Sequence, residues 1–349
     1  MTTQYSRVYL SAMGYELGPV VVTSRELEER LSPVYTRLNL QHGQLEAWTG
    51  IQERRWWQPD ARLSVGAVAA ARKALSKSTV HPSDLGVLIY AGVCRENFEP
   101  ATACAVADAL GVRGNALVYD LSNACLGVLN AMLDIANRIE LGQIRAGLVV
   151  SCETAREINE LMLARLLAGN GMEAFVEGLA TFTGGSGAVA MLLTDGSYEN
   201  PLNSRLIGAV SRVAPEHHAL CRWGLETLPD GNQTQFMATD SVAVLKNGVK
   251  LGQQTWDVFL KELGWTAADI DRVICHQVGH GHQEAILKTL GIPKEKDYTT
   301  YRYLGNMGTA ALPATAAIAE ERGVLRHGQK VAFLGIGSGL TCLMVGLEW

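Results

Sequence analysis

One cysteine of this sequence lies where a predicted strand turns into a predicted helix. The apolar residues 116–119 predict a buried strand, and residues 128–139 carry apolar side chains at helical spacing. Cys125 then falls in the first helical turn, where unpaired N–H groups and the helix dipole favour the nucleophilic thiolate. A free cysteine can also be simply a small buried hydrophobic residue. Because strand-to-helix turns are a recurrent place for nucleophiles, the position predicts a catalytic cysteine.

Two polar residues and a glycine-rich run follow strands later in the chain. His276 directly follows the predicted strand 273–275, Asn306 follows residues 303–305, and residues 335–340 (Gly-Ile-Gly-Ser-Gly-Leu) interrupt a strand. Each has a structural alternative: an ordinary buried histidine, a turn residue and a hairpin. Together with the cysteine they predict acyl transfer from a thioester. The thiolate attacks the carbonyl, and backbone and side-chain donors stabilise the oxyanion and an enolate.

A metal site is a second alternative for the histidine, beside an ordinary buried histidine. His276, His280 and His282 lie close together in the sequence. They form no His-Glu-x-x-His pattern, and no cysteine pair accompanies them. We therefore expect neither a metal ion nor a cofactor.

The elements that must position these residues occur twice. Residues 84–112 and 269–292 each begin with an aspartate and an aliphatic residue, followed by a predicted strand and a predicted helix. The first helix ends in Leu-Gly-Val (110–112) and the second in Leu-Gly-Ile (290–292). The segment 122–125 has its counterpart at 304–308, again ahead of a predicted helix. Self-similarity over this length predicts a duplicated strand–helix unit.

The duplication predicts two domains. Residues 1–195 form the half that carries the cysteine, with a helical insertion at about 155–180, and residues 196–349 form the half that carries the histidine and asparagine. Strands alternating with long helices predict an α/β fold with mixed, mainly parallel sheets. The halves would pack as five layers, α-β-α-β-α. Ligands of such sheets bind beyond the carboxyl ends of the strands, where polar residues of both halves would meet.

Composition excludes several other classes of protein. The chain has 349 residues and a formal net charge of -5, which argues against a nucleic-acid partner. No apolar run approaches the roughly 18 residues of a membrane span, and the polar start predicts no signal peptide. The seven cysteines are scattered without a Cys-x-x-Cys pair. This pattern is typical of reduced thiols in a cytoplasmic protein.

The sequence resembles the ketoacyl synthase III branch of the thiolase superfamily. The matching segments span nearly the whole chain in family order, and they are residues 49–55, 123–125, 276–277, 305–308 and 335–340. The resemblance implies the thiolase fold, with Cys125 as the acyl-carrying nucleophile and His276 and Asn306 as its partners. It also implies an oxyanion hole formed by the N–H groups of Cys125 and Gly339. Members of the family are homodimers with a tunnel for pantetheine.

Within this branch, residues 95–100 (Arg-Glu-Asn-Phe-Glu-Pro) resemble the condensing enzymes of long-chain olefin biosynthesis, which join two fatty acyl-CoAs head to head. That resemblance implies that Glu99 reaches into the partner subunit's active site as a general base. Joining two plain acyl thioesters requires removal of an α-proton, and a desolvated carboxylate suits that task. The structural alternative is a solvated loop charge. Similarity at residues 220–222 makes Arg222 a candidate substrate-binding residue.

Three functions are consistent with these residues. The first is a non-decarboxylative Claisen condensation of two fatty acyl-CoAs, or acyl-ACPs, to a 2-alkyl-3-oxoacyl product that downstream pathway enzymes would take over. The second is a decarboxylative 3-oxoacyl-ACP synthase III that uses malonyl-ACP. It is less well supported, because Val278-Gly279 stands where many ketoacyl synthases have Ala-Asn. The third is a non-catalytic acyl-binding subunit of a heterodimer, against which the intact Cys125, His276 and Asn306 argue.

Overall fold

The computed structural model describes residues 1–169, 171–199 and 202–349. In this part of the chain the strands are β1 (Thr2–Gln4), β2 (Tyr9–Leu17), β3 (Val20–Thr23), β4 (Glu53–Trp56), β5 (Val87–Ala91), β6 (Leu117–Leu121), β7 (Ala146–Glu153), β8 (Gly187–Thr194), β9 (Ser204–Val213), β10 (Cys221–Thr227), β11 (Gln233–Thr239), β12 (Arg272–Cys275), β13 (Lys330–Gly337) and β14 (Thr341–Glu348).

The same ranges contain the α-helices α1 (Ser24–Arg30), α2 (Ser32–Leu38), α3 (Gln44–Thr49), α4 (Leu63–Leu75), α5 (Thr102–Leu110), α6 (Gly127–Glu140), α7 (Arg156–Leu167), α8 (Met172–Gly178), α9 (Ser241–Leu263), α10 (His280–Leu290), α11 (Tyr301–Leu304) and α12 (Ala311–Glu321). Short 3₁₀ turns lie at Pro82–Asp84, Thr181–Thr183, Pro215–His217, Lys294–Lys296 and Gly308–Ala310. Among the described residues, no helix is both long and apolar enough to cross a membrane.

Ten strands are joined by hydrogen bonds in the order β12-β13-β14-β9-β2-β8-β7-β5-β6, with β1 beside β9. Parallel pairing occurs in β5–β6, β5–β7 and β12–β13. The other pairs on this path are antiparallel. The sheet is therefore mixed, as predicted, with less parallel pairing than the alternating pattern suggested. One reason is local: residues 338–340 join β13 to β14, and so short a connection permits only an antiparallel pair.

The strand path bends into two layers where β2 meets β9. These two strands pair over only Tyr9 with Arg205 and Leu10 with Ser204. The apolar faces of α6 and α12 share one core with residues of strands from both halves, including Val149 and Val345. A second core lies under α4 and α5, and a third under α9 and α10. Two outer helix layers, two sheet layers and one shared helix layer give the five layers that the sequence predicted.

The internal repeat is visible in the order of elements. In the first copy β5, α5, β6 and α6 follow one another, and in the second β12, α10 and α12 do so. The counterpart of β6 is reduced to a single parallel bridge between Val273 and Asp297. The division into domains at residue 195 stays a prediction.

The predicted helical insertion consists of α7 and α8 in its described part, and Asn170 between them lies outside the described residues. Both helices bury apolar side chains against α1 and α2 in a fourth core that contains Leu27, Val34, Leu163 and Phe175. The helix α1 begins at a capping box, since the Thr23 side chain and Glu26 exchange hydrogen bonds with each other's backbone. The β10–β11 hairpin lies beside α7 and α8. The hairpin and these two helices together cover one side of the candidate active site.

Candidate active site

Cys125 lies in the turn between β6 and α6. The sequence had predicted Cys125 in the first turn of the helix. In the structure the helix begins at Gly127 with Leu126 as its N-cap, so Cys125 precedes the helix. The turn is tight: Leu126 N–H donates to the Asn123 carbonyl at 2.9 Å, and Ala124 has a left-handed φ of 45°. The predicted nucleophile is thus held on a sharp strand-to-helix turn by local backbone geometry.

The position of Cys125 suggested a thiolate, whereas its environment in the structure favours the protonated thiol. Burial raises the pKa of Cys125 to about 12, with smaller contributions from Cys221 and Glu153. A helix terminus contributes only about 0.3–1 kcal/mol, which is less than one pKa unit. Burial of an ionisable group can shift its pKa by about 3–5 units. Desolvation therefore exceeds the dipole effect, and the resting residue is a thiol.

His276 directly follows β12 and lines the same cavity as Cys125. Its N–H donates to the Leu334 carbonyl of β13 at 3.0 Å, which fixes the backbone at the carboxyl end of the strand. Burial, with a smaller effect of His282, lowers the pKa of His276 to about 4. The ring is therefore neutral near pH 7. Within the described part of the chain, its buried Nδ1 atom has no hydrogen-bond partner.

Asn306 is fixed by backbone hydrogen bonds to the segment before β8. Its N–H donates to the Thr183 carbonyl at 2.8 Å, and its carbonyl accepts from Gly185 N–H at 2.9 Å. The side-chain Oδ1 accepts from Gly308 N–H at 3.1 Å. Because that oxygen is engaged, the NH2 group is the part of the amide that can donate to a substrate carbonyl.

Cys125, His276 and Asn306 line one cavity of about 420 Å³. They come from both halves of the chain, as predicted. Cys125 and His276 follow strands β6 and β12, whereas Asn306 follows the short helix α11 and not the strand that the sequence predicted there. Most other lining side chains are apolar and belong to α9, α10, β11 and β13–β14, among them Met237, Leu245, Val249, Ile286, Leu334 and Met344. A thiol, a neutral imidazole and an amide donor in an apolar cavity suit transfer of a fatty acyl group.

The glycine-rich run forms a hairpin and also borders the cavity. Gly337 pairs with Thr341 across the turn between β13 and β14. A side chain at Gly337 would place its Cβ 3.4 Å from the Cys125 backbone nitrogen. Glycine therefore allows this strand to pass close to the nucleophile. Ser338 and Leu340 line the cavity, and Gly339 lies between them with a φ of 132°. The role of Gly339 in an oxyanion hole stays a prediction.

Two predicted site residues lie outside this group. Glu99 is exposed on the loop between β5 and α5, and residues 97–100 are all exposed. It is not among the described residues that line the cavity of its own chain. Arg222 is exposed on β10, with its guanidinium 5.4 Å from the centre of the Phe236 ring. Its neighbour Cys221 lines the cavity, and the substrate-binding role of Arg222 stays a prediction.

The structure adds three residues that the sequence reasoning did not select. Cys221 and His282 line the cavity, and Glu153 lies buried at the end of β7. Glu153 could have been found by the rule that selected His276, because both are polar residues at the carboxyl end of a predicted strand. In the described residues, no group of three or more His, Cys, Asp or Glu side chains could hold a metal ion. His280 instead pairs with Glu284 at 3.2 Å.

Comparison with known proteins gives consistent matches along the chain. Residues 260–349 match the family model of the 3-oxoacyl-[acyl-carrier-protein (ACP)] synthase III C terminal. An acyl-CoA:acyl-CoA alkyltransferase of Shewanella oneidensis is 52% identical over 348 residues, covering 99% of this chain and all of the relative. A protein of the same name from Xanthomonas campestris is 36% identical over 346 residues, with 99% of both chains covered.

Solved structures of Xanthomonas campestris OleA superimpose closely. A cysteine-to-alanine variant gives a TM-score of 0.93 at 36% identity and covers 99% of this chain and 98% of its own. A cysteine-to-serine variant, solved with lauric acid and lauroyl-CoA, gives a TM-score of 0.91 at 35% identity and covers 99% of this chain and all of its own. In a third structure, with the same TM-score as the first, a glutamate 26 residues before that cysteine is replaced by glutamine.

Proposed function

Because the chain belongs to the acyl-CoA:acyl-CoA alkyltransferase family, within the ketoacyl synthase III branch of the thiolase superfamily, we propose that it joins two fatty acyl-CoAs by a non-decarboxylative Claisen condensation. The product is a 2-alkyl-3-oxoacyl thioester of the kind used in olefin biosynthesis. The observation that carries the proposal is the meeting of Cys125, His276 and Asn306 in one apolar cavity.

In the first half-reaction the chain becomes acylated. The Cys125 sulfur attacks the thioester carbonyl of an acyl-CoA while His276 takes the thiol proton. The N–H groups of Cys125 and Gly339 hold the oxyanion. The C–S bond to CoA then breaks, and the CoA thiolate leaves with a proton from the imidazolium. His276 is suited to this exchange, because burial keeps its ring neutral before attack.

In the second half-reaction a second acyl-CoA supplies the carbon nucleophile. Glu99 of the partner subunit removes a proton from C2, and the amide of Asn306 and the ring of His276 hold the resulting enolate oxygen. The C2 carbanion attacks the acyl carbonyl on Cys125. A carbon–carbon bond forms, the bond to sulfur breaks, and the proton that Glu99 took from C2 passes to the Cys125 thiolate, which restores both groups. No CO2 is released, so the step depends on a base.

We also propose that the working unit is a homodimer. Phe98, next to Glu99, has 92% of its surface exposed in the single chain, which is unusual for a phenylalanine. The edge strand β6 leaves Leu117 46% exposed beside one unpaired sheet edge. The exposed phenylalanine and the exposed edge strand both favour burial against a second copy of the chain, whose active site would receive Glu99. Equilibrium sedimentation is expected to give twice the chain mass at micromolar concentration, and a fully active monomer would contradict the proposal.

The spacing of the relative's substituted residues supports the assignment of Glu99. Glu99 precedes Cys125 by 26 residues, the same separation as between the substituted glutamate and cysteine of Xanthomonas OleA. This equal spacing supports the proposal that Glu99 corresponds to the glutamate that was substituted in that relative.

Purified protein given one long-chain acyl-CoA, with no malonyl donor, tests the function. We expect release of CoA and a 2-alkyl-3-oxoacyl thioester whose acyl part has the mass of two acyl chains joined, or the ketone that remains after this thioester is hydrolysed and the resulting 3-oxo acid loses CO2. The matched reaction contains the same acyl-CoA with malonyl-ACP. Product that forms only in the matched reaction would replace this function by that of a decarboxylative synthase. CoA release without any condensed product would favour acyl binding alone.

A further inference from the structure

A buried carboxylate connects the segments around the active site. Glu153 ends β7 with 3% of its surface exposed. Its Oε1 accepts from Val93 N–H at 2.9 Å, and its Oε2 accepts from Cys94 N–H at 3.0 Å. Burial raises the pKa of Glu153, while backbone N–H groups act against that rise. Such a group is retained at a cost in desolvation, and the reaction steps above do not use it.

The same carboxylate faces the segment that follows Asn306. A side chain at Gly308 would place its Cβ 3.3 Å from the Glu153 carboxyl group, and Thr309 N–H also points to that group. Thr309 Oγ1 in turn accepts from Val128 N–H at 2.8 Å, at the start of α6. Glu153 thus lies between the Asn306 segment and the beginning of the Glu99 loop.

The Glu99 loop is anchored at its base and exposed at its tip. Val93 and Cys94, held by Glu153, begin the loop, and Glu96 N–H donates to Thr102 Oγ1 at 3.2 Å. Ser64 N–H donates to the Glu96 carboxylate at 2.7 Å. Beyond these anchors residues 97–100 are exposed. The direction in which the tip leaves the subunit is therefore set by buried contacts at its base.

Loss of the Glu153 carboxylate would remove the acceptor of two adjacent backbone N–H groups. Buried N–H groups without a partner are unfavourable, so the base of the loop would rearrange to satisfy them. A small rotation of the backbone at Val93 and Cys94 moves the loop tip, several residues away, farther than it moves the base of the loop. A displacement of about 1 Å at a reacting group can reduce the rate about 100-fold.

We propose that Glu153 is a positioning residue that sets the base of the 95–100 loop and thereby places the glutamate that this subunit supplies to its partner's active site. The inference rests on the proposed function, in which Glu99 acts across the dimer. It assigns to Glu153 an effect that one subunit exerts on catalysis in the other.

Mixed dimers separate this effect from damage within one subunit. In the reference dimer, a Glu99→Ala chain pairs with a Cys125→Ala chain, which leaves one complete site with Cys125 from the first chain and Glu99 from the second. In the trans dimer, the Cys125→Ala chain also carries Glu153→Gln. In the cis dimer, the Glu99→Ala chain carries Glu153→Gln instead. Different affinity tags on the two chains allow each mixed dimer to be isolated.

We expect the trans dimer to condense acyl-CoA about 10–100-fold more slowly than the reference, while acylation of the single Cys125 proceeds at the reference rate. A role in folding alone would not spare acylation while slowing condensation at a site whose own chain retains Glu153. The matched control places Glu157→Gln in the trans position, because Glu157 is an exposed carboxylate of the same segment. It should behave as the reference.

A trans dimer that condenses as fast as the reference would overturn the proposal, as would a loss found only in the cis dimer. If the Gln chain gives no dimer, Glu153→Asp is used, which keeps the charge and shortens its reach, and the same comparison applies. A reference dimer without condensation, beside an active wild type, would contradict the shared site itself. That result is distinguishable, because it appears before any change at Glu153.

Discussion

Replacement of Cys125 by alanine is expected to abolish acylation and to reduce condensation by a factor on the order of 10⁴–10⁶. The proposed reaction begins with attack by this sulfur, and the methyl group of alanine offers no nucleophilic atom in its place. The measurement is mass spectrometry of the digested protein after incubation with a long-chain acyl-CoA. Wild-type protein should carry the acyl mass on the peptide that contains Cys125, and the variant should carry none.

Two other cysteines provide the controls for this result. Cys104 is exposed, so Cys104→Ala should be acylated as wild type. Cys221 lines the same cavity, and Cys221→Ala tests which of the two thiols takes the acyl group. In that variant the acyl mass should remain on Cys125. Full stoichiometric labelling of Cys125→Ala would assign the nucleophile to another residue and contradict the mechanism.

The pH dependence of alkylation reports the protonation state of the nucleophile. Since burial raises the pKa of Cys125 to about 12, the thiolate fraction should increase about tenfold for each pH unit between pH 7 and pH 9. The rate of modification of Cys125 by iodoacetamide should increase in the same proportion. A rate that levels off below pH 8 would indicate the stabilised thiolate that the helix start alone suggested.

The position of the catalytic group could be predicted because it follows from local sequence. His276 comes directly after β12 and Cys125 lies in the turn after β6, and the apolar runs of both strands are evident in the sequence. The carboxyl ends of such strands meet in this type of fold. Asn306 was placed after a strand wrongly, because residues 301–304 form the short helix α11. The five layers could be predicted too, because the repeated spacing of strands and helices is also a feature of the local sequence. Resemblance to a known family then supplied roles for these residues that spacing alone could not distinguish from turns and buried histidines.

The protonation state of Cys125 could not be predicted, because it depends on segments distant in the sequence. The thiol is desolvated by burial, and Cys221 of β10 and Glu153 of β7 add smaller electrostatic effects. The cavity around it is lined by α9, α10 and the β13–β14 hairpin. None of these contacts is implied by the residues on either side of Cys125. The local features that favour a thiolate were visible, and the stronger desolvation that opposes them was not.

Glu153 illustrates the same difference between local pattern and long-range contact. Its place at the end of β7 follows from the apolar run before it. Its partners Val93, Cys94 and Gly308 come from two other segments, and only the parallel pairing of β7 with β5 brings the first two beside it. A polar residue at a strand end could have been selected from the sequence, whereas its role in holding a loop could not.

Replacement of Glu99 by glutamine is expected to separate the two half-reactions. Acylation of Cys125 and release of one CoA need no base at C2 and should proceed as in wild type. Condensation requires removal of a C2 proton from an unactivated acyl-CoA, and loss of a general base typically costs about 10²–10⁴-fold in rate. Glutamine has the same shape and cannot accept the proton. A single-turnover assay that follows CoA release and product mass in one reaction measures both steps.

The control for this variant is Glu295→Gln, which removes one negative charge from an exposed glutamate of the other half and should leave both steps unchanged. Mixing Glu99→Gln chains with Cys125→Ala chains should restore condensation, because the mixed dimer has one site with both groups and neither parent dimer has any. Normal condensation by Glu99→Gln would make Glu99 a surface charge and leave the non-decarboxylative reaction without its base. Loss of acylation together with condensation would instead give Glu99 a structural role.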